Sequence, residues 1–354
     1  YFKDVIAYLI EKSIVVIHYV TNDPNDQIFE IAKTQKQIKP YYIGEKRLIT
    51  LFMKMDADIV VMTCPDLDKY HLKRSYVRND IEYIYMFHYP LSTHMVLQNG
   101  ALDHYDTIFC VGDFQFDEIR AAERVYNLPE KKLISAGYGQ LEQLYNDYQK
   151  LDLKKREHPK ILIAPSWQPD NILDSCLDSL LAQLLNHGYE VVVRPHPEYV
   201  KRYKPRMDQI VHKYENCEDS GLRFELDFTS NTSIFDSDVL ITDWSGTAYE
   251  FSFVTLKPAV FIDTKPKINN PEYKRLGIEP LEFVLRSKVG IRVDPEKLDG
   301  LNEQIQNLLT SQDKYAKHIE EIREKYIANF GTSGQVGGQY ILSQLKARQQ
   351  RAKS

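Results

Sequence analysis

The chain has 354 residues, 43% of them hydrophobic and 27% charged, which is the composition of an ordinary globular protein. A chain of this length is too long for one typical core and predicts two domains. Its net charge of −5 argues against nucleic-acid binding, which needs a basic surface.

No apolar run reaches the roughly 18 residues that span a bilayer, and no signal peptide is visible. The cysteines Cys64, Cys110, Cys176 and Cys217 are scattered, with no Cys-x-x-Cys pair. We therefore expect a cytoplasmic protein in a reducing compartment, without a structural zinc. Because the chain begins at Tyr1 in a helix-like pattern, we also expect that residues are missing upstream.

Helices alternate with short apolar strands through the first half of the chain. Strands are predicted over residues 13–19, 38–43, 57–63, 82–87, 107–111 and 132–136. Helices are predicted over residues 5–12, 27–34, 48–55, 99–105 and 114–126. Continuous apolar strands separated by helices are typical of a parallel sheet that is covered on both faces.

The alternation starts again after a charged, Pro-terminated segment at residues 151–159, which we interpret as a linker. Strands follow at 160–165, 189–194, 239–242 and 258–263, and helices at 172–187, 207–214, 248–255, 301–309, 314–326 and 339–348. The pattern predicts two Rossmann-like, doubly wound α/β lobes, residues 1–150 and 151–354, with a ligand in the cleft between them. The last helix is a candidate to pack back on the first lobe.

Two strand ends in the second lobe carry the residue types that bind phosphate. Arg194 offers a planar charged fork and His196 a hydrogen-bond donor, between prolines that stiffen the turn. The alternative is a strand end at which His196 caps the next helix.

The other strand end is a hydroxyl-rich turn into a helix, which presents free backbone N–H groups to an anion. Ordinary helix capping is the competing interpretation. Glu250, one turn into that helix, could reach a ribose hydroxyl or act only in capping. The candidate donor-binding residues of this turn are Thr242, Asp243, Ser245, Gly246 and Thr247.

Further candidates lie at other strand ends. His88 follows a first-lobe strand, where a histidine is placed to act as general base on an acceptor hydroxyl. His94 is a weaker candidate nearby, and both histidines could instead be structural. In the second lobe, Ser166 lies in a loop with Trp167 that could line a nucleotide pocket.

Two late segments add candidates. Residues 265–271 contain Lys265 and Lys267. Glu282 and Arg286 have the spacing of a surface helix pair, although Arg286 could also contact a phosphate. The dinucleotide, P-loop and His-Glu-x-x-His fingerprints are absent from the sequence, and no carboxylate cluster suggests a metal.

The Arg-Pro-His-Pro strand end, followed by Ser-Asp-x-Leu-Ile-Thr-Asp-Trp-Ser-Gly entering a helix, resembles the CDP-glycerol glycerophosphotransferases of bacterial teichoic-acid and capsule synthesis. The late segment Phe330-Gly331-Thr332-Ser333-Gly334 is compatible with that family. The resemblance covers most of the chain and implies a GT-B-like fold. It also implies transfer of glycerol phosphate from CDP-glycerol to a hydroxyl of a polymer or saccharide, with no cofactor.

The resemblance implies roles for matching residues. His196 would contact the donor pyrophosphate, Ser245, Gly246 and Thr247 would bind the same phosphates, and His88 would be the base. Two positions depart from the family: Phe87-His88-Tyr89-Pro90 stands where the family has Trp-His-Gly-Thr, and Gly246 where it usually has a second serine.

Two other functions remain open from the sequence. One is a GT-B glycosyltransferase that uses a CMP- or UDP-sugar, because its phosphate site would look much the same. The other is a non-catalytic polysaccharide-binding protein. The basic end, residues 346–353, predicts a solvated helix end or weak peripheral contact with anionic lipid at the cytoplasmic face of the inner membrane.

Overall fold

The structure is a computed structural model that describes residues 1–153, 156–215 and 221–352. Lys154 and Lys155 of the predicted linker, Cys217, and Lys353 of the basic end lie outside the described residues.

The first lobe contains two parallel sheets. β1 pairs with β2, and the other sheet has the order β3-β4-β5-β6. The strands are β1 Ile17–Thr21, β2 Ile38–Tyr42, β3 Ile59–Met62, β4 Glu82–Met86, β5 Thr107–Cys110 and β6 Lys132–Ser135. The helices are α1 Lys3–Lys12, α2 Ile28–Thr34, α3 Glu45–Met53, α4 Thr93–Val96, α5 Asp113–Tyr126 and α6 Gly139–Tyr148.

The second lobe is a parallel sheet of order β12-β11-β10-β7-β8-β9, in which the strand order reverses between β7 and β10. Its strands are β7 Lys160–Ile163, β8 Glu190–Val193, β9 Leu222–Phe224, β10 Val239–Thr242, β11 Ala259–Ile262 and β12 Gly290–Val293. Its helices are α7 Ile172–Ser175, α8 Leu177–Leu185, α9 Pro197–Arg202, α10 Lys204–Lys213, α11 Thr232–Phe235, α12 Thr247–Thr255, α13 Leu281–Arg286, α14 Leu301–Thr310, α15 Gln312–Tyr326 and α16 Ser333–Arg351, with a 3₁₀ helix at Tyr273–Leu276.

Both faces of the second-lobe sheet are buried, because successive side chains of each strand enter different cores. Ile161 and Ile163 of β7 pack in one core together with α8 and α14. Leu162, between them, packs on the opposite face in a core that also contains residues of α12 and α15. This is the doubly wound arrangement that the continuous apolar strands predicted.

An apolar interface joins the two lobes. Leu141 and Leu144 of α6 belong to the same core as Phe251 of α12. The last helix, α16, packs on α1, and Ile341 shares a core with Val5 there. The helices α16 and α1 approach each other so closely that a Cβ at Gly334 would lie 2.5 Å from the Cβ of Asp4.

Some local predictions were wrong. Residues 99–104 form turns, and the helix in this region is the preceding α4. The helix predicted over 172–187 is broken at Cys176, whose φ of −144° is not helical.

No helix among the described residues is long and apolar enough to cross a membrane. At the basic end, Arg348 forms an ion pair with Asp80 at 3.2 Å.

Candidate active site

The predicted site residues follow the carboxyl ends of parallel strands. In the second lobe these are β7, β8, β10 and β11, which are neighbours in one sheet. In the first lobe, His88 follows β4. In open α/β sheets this edge, next to the point where the strand order reverses, is where ligands bind.

His196 is the N-cap of α9, and its ring Nδ1 accepts a hydrogen bond from the backbone N–H of Glu198 at 3.1 Å. Burial, together with the nearby Lys267 ammonium, lowers the pKa of His196 to about 4. The ring is therefore neutral at pH 7, with its proton on Nε2, because Nδ1 is an acceptor. His196 thus caps a helix and also keeps one N–H donor for a ligand.

Arg194 is buried at the end of β8, and its guanidinium forms an ion pair with Glu225, after β9. Ser233 is a second partner at 3.3 Å, and the ring of Phe228 lies 5.4 Å from the guanidinium carbon. The sequence predicted that Arg194 binds the donor directly. In the structure the carboxylate of Glu225 pairs with the guanidinium and ties β8 to β9.

Three predicted donor-binding residues lie behind the turn that follows β10. Asp243 is buried and accepts hydrogen bonds from the backbone N–H and hydroxyl of Ser166 and from the N–H of Trp244. The Thr242 hydroxyl donates to the carbonyl of Ala164 at 2.6 Å. The sequence predicted direct donor contact for Ser166, Thr242 and Asp243, whereas their polar atoms are bonded within the protein and hold the β7 and β10 loops together.

The turn presents Ser245, Gly246 and Thr247 at the start of α12. The Ser245 hydroxyl accepts a hydrogen bond from the Thr247 N–H at 3.3 Å. Gly246 has a φ of −62°, which any residue adopts, and a Cβ there would lie 3.6 Å from Leu91 of the first lobe. The helix N-terminus therefore faces the opposite lobe.

Arg286 was a candidate phosphate contact, and the structure places its guanidinium against groups of the protein. It is 1% exposed and donates to the carbonyls of Asp243 and Ile262. It also forms an ion pair with Asp263 at 2.6 Å, and its guanidinium carbon lies 3.9 Å from the centre of the Trp244 ring. Arg286 thus supports the turn after β10 from the interior of the protein. The expected surface pair with Glu282 is also absent, because both side chains are buried and have other partners.

His88 is half-buried, and its Nδ1 is buried without a hydrogen-bond partner among the described residues. Burial lowers the pKa of His88 below its ordinary value and so favours the neutral ring. The Tyr138 hydroxyl lies 3.0 Å from the carbonyl oxygen of His88 and 2.8 Å from Oε1 of Glu250. Tyr138 thereby links the His88 loop to α12 across the cleft.

Glu250 was predicted to contact a ribose or to act in capping. Its side chain instead lies against Tyr138, and burial raises the pKa of its carboxyl group. Tyr138 was not predicted from the sequence, although it follows the end of β6 as His88 follows the end of β4.

His94 was a candidate contact for the acceptor or a phosphate, and the structure places it among buried groups of both lobes. It is 6% exposed, its Nδ1 lies 3.4 Å from Glu118, and its Nε2 lies 3.1 Å from the carbonyl oxygen of Ile278. Burial lowers the pKa of His94, but the bond with Glu118 outweighs this and leaves the pKa raised. His94 is therefore a structural residue that joins the lobes.

Lys267 follows β11 and is half-buried. Its ammonium lies 4.8 Å from the centre of the Trp167 ring. Burial lowers the pKa of Lys267. The sequence indicated this segment without assigning a role to the side chain.

Among the described residues, no group of three or more His, Cys, Asp or Glu side chains lies close enough to hold a metal ion.

Comparisons with known proteins place these features in a family. Residues 101–330, more than half of the chain, match the model of the CDP-glycerol:poly(glycerophosphate) glycerophosphotransferases. A comparison with curated protein sequences gave no match.

Solved structures show the fold. The wall teichoic acid polymerase TagF superposes with a TM-score of 0.63 at 15% identity, over 98% of this chain and 86% of that one. A Rickettsia africae glycosyltransferase gives 0.52 at 12% identity, over 96% and 93% of the two chains. The Methanocaldococcus jannaschii UDP-GlcNAc 2-epimerase gives 0.53 at 12% identity, over 96% and 94%. The chain has a GT-B-like fold and is a transferase that belongs to the CDP-glycerol:poly(glycerophosphate) glycerophosphotransferase family.

Proposed function

We propose that this protein transfers glycerol phosphate from CDP-glycerol to a hydroxyl group of a teichoic-acid-like polymer or a cell-surface saccharide, which can be lipid-linked. The observation that carries the proposal is that the two lobes contribute different groups to the site between them. Phosphate-binding groups, namely the His196 ring and the N-terminus of α12, belong to the second lobe. A neutral histidine with an unpartnered nitrogen, His88, belongs to the first.

In the proposed reaction the acceptor hydroxyl gives its proton to His88 as its oxygen attacks the phosphorus that bears glycerol. A bond forms between the acceptor oxygen and that phosphorus. The bond from the phosphorus to the bridging oxygen breaks, and CMP leaves with the electron pair. Negative charge develops on CMP, and phosphoryl transfer depends mainly on stabilising such charge and aligning the groups.

The two histidines act differently because their partners differ. Nδ1 of His196 accepts a backbone hydrogen bond, so its Nε2–H serves as a donor to the departing phosphate. His88 carries the unpartnered nitrogen that a base requires. The N-terminus of α12, with the hydroxyls of Ser245 and Thr247, adds a positive dipole end for the diphosphate.

Tyr138 supports the base in this proposal. Its hydroxyl holds the carbonyl of His88 and bonds to Glu250, whose raised pKa favours a neutral carboxyl group there. The two bonds of the Tyr138 hydroxyl fix the His88 backbone relative to α12.

A panel of donors tests the assignment. The melting temperature of the protein is measured with CDP-glycerol, CMP-sugars and UDP-sugars at equal concentrations. We expect CDP-glycerol to raise the melting temperature most, because ligands that bind the native state stabilise it. Stabilisation by a sugar nucleotide and not by CDP-glycerol would identify a glycosyltransferase instead. Binding of polysaccharide without turnover of any donor would identify a binding protein.

Contact with the membrane surface belongs to the same proposal. The basic residues of α16, including Arg348 and Arg351, lie near the end of the described chain. Sedimentation with vesicles that contain anionic lipid, compared with neutral vesicles, tests whether this end binds a surface.

A further inference from the structure

The donor half of the cleft contains three buried or half-buried cations, and two of them already have carboxylate partners. Arg194 pairs with Glu225, and Arg286 pairs with Asp263. Lys267 differs, because no carboxylate of the described residues lies within 4 Å of its ammonium group. A diphosphate brings negative charge into this cleft, so the unpaired cation is the group to examine.

The contacts of Trp167 place Lys267 next to the phosphate-binding groups. Trp167 follows β7, which lies between β8 and β10 in the sheet. Its ring centre lies 4.8 Å from the Lys267 ammonium and 4.9 Å from the guanidinium carbon of Arg202 in α9, the helix that follows β8. Ser166, next to Trp167, donates hydrogen bonds to Asp243 in the turn that leads into α12. Lys267 therefore lies at the end of β7, between the β8 strand end and the β10 turn.

Burial of this cation has an energetic cost, since desolvation disfavours the charged ammonium group. The face of Trp167 offsets part of that cost through a cation–π contact at 4.8 Å. A phosphate oxygen would offset more, because it supplies a full opposite charge at hydrogen-bond distance.

We infer that Lys267 binds the diphosphate of the nucleotide donor and that Trp167 is a positioning residue that holds the Lys267 side chain in the cleft. The inference rests on the proposed function and deepens it: the cation at the donor site is Lys267, and Arg194 and Arg286 shape the site from behind.

Titration calorimetry with CDP, CMP and cytidine tests the role of Lys267. We expect Lys267→Met to weaken CDP binding by about tenfold or more, the usual effect of losing a hydrogen bond to a charged group. CMP, with a single phosphate, should lose less, and any weak cytidine binding should be unchanged. Lys267→Arg should restore part of the CDP affinity, because it returns the charge.

Lys265→Met is the matched control. Lys265 is two residues away, and its side chain is 76% exposed and lies 3.8 Å from Asp170. The same change of charge there should leave CDP affinity unchanged. Equal CDP affinity in Lys267→Met and wild type, or equal losses in Lys267→Met and Lys265→Met, would overturn the inference while leaving the proposed function standing. Wild-type protein that binds no cytidine nucleotide would overturn both.

Trp167 needs a comparison that separates positioning from folding. Trp167→Phe retains an aromatic face and Trp167→Leu does not, so we expect the Leu variant to lose several-fold more CDP affinity than the Phe variant at similar melting temperatures. Combining Trp167→Leu with Lys267→Met should cost no more affinity than Lys267→Met alone. Additive losses would show that Trp167 acts independently of Lys267 and would overturn its positioning role.

Discussion

Asp263 forms ion pairs with two arginines, one of them buried and the other exposed. Arg286 is 1% exposed and has two backbone carbonyls as further partners. Arg292 is 49% exposed and reaches the other oxygen of the same carboxylate at 2.9 Å. The contrast matters because a buried charge depends on every partner, whereas an exposed charge is also solvated by water.

Arg286→Met should therefore destabilise the protein by about 3 kcal/mol or more, since it leaves the carbonyls behind the β10 turn without their donor and Asp263 with the exposed Arg292 as its remaining cation. Arg292→Met should cost no more than about 1 kcal/mol. Chemical denaturation of both variants measures the difference. Equal losses would mean that Arg286 does not hold the turn as described.

The sequence could not distinguish the role of Arg286 from that of a ligand-binding arginine. Its spacing from Glu282 is that of a surface helix pair, but α13 is buried on the side of both residues. Burial depends on where α13 packs, and this is a tertiary property. The role of Arg194 also depends on tertiary structure, because its partner Glu225 lies 31 residues away in sequence.

At the scale of the helix, α9 shows how one side chain serves structure and binding together. His196 caps the helix through Nδ1, and the following Pro197 occupies the first turn, where its missing N–H costs nothing. Capping and ligand binding were competing interpretations of the sequence. The two ring nitrogens allow both.

Substitutions of His196 should separate these roles. His196→Asn retains a good N-cap and should leave stability nearly unchanged, whereas His196→Ala should cost about 1 kcal/mol. Both should lose turnover, because neither offers the Nε2–H donor. Stability is read from denaturation and turnover from CMP release. Full turnover in the Asn variant would contradict the donor role.

Elements with strong local signals were predicted, and those that depend on contacts were not. Apolar strands such as β7 and β8 were found within one or two residues of their ends. By contrast, α6 was missed. Its Leu141 and Leu144 are buried against α12, a contact between lobes that the local pattern does not contain.

At the scale of the whole molecule, a buried polar contact accompanies the apolar interface between the lobes. The hydroxyl of Ser92, in the first lobe, donates to Oε2 of Glu282 in the second at 2.6 Å. Burial raises the pKa of Glu282 to about 7. The carboxyl group is therefore protonated in the folded protein at a pH where an unfolded chain would have lost the proton.

The stability of the protein should depend on pH through Glu282. Because the folded pKa lies above the unfolded value, Glu282 makes the protein lose stability as the pH rises from about 4.5 to about 7. Glu282→Gln removes this titration and keeps an oxygen for Ser92. We expect the melting temperature of the variant minus that of wild type to increase as the pH rises from 5 to 8. A constant difference across that range would show that Glu282 titrates normally.

The contribution of different groups by the two lobes to the site between them is tested most directly by the rate of CMP release from CDP-glycerol, with acceptor present, in wild type and His88→Ala. We predict turnover by wild type and at least about a hundredfold loss in the variant, which should still bind CDP because the donor groups lie in the other lobe. Since burial lowers the pKa of His88, the wild-type rate should fall only at a pH below the ordinary pKa of histidine, where the base becomes protonated. Undiminished CMP release by His88→Ala would contradict the assignment of His88 as the base.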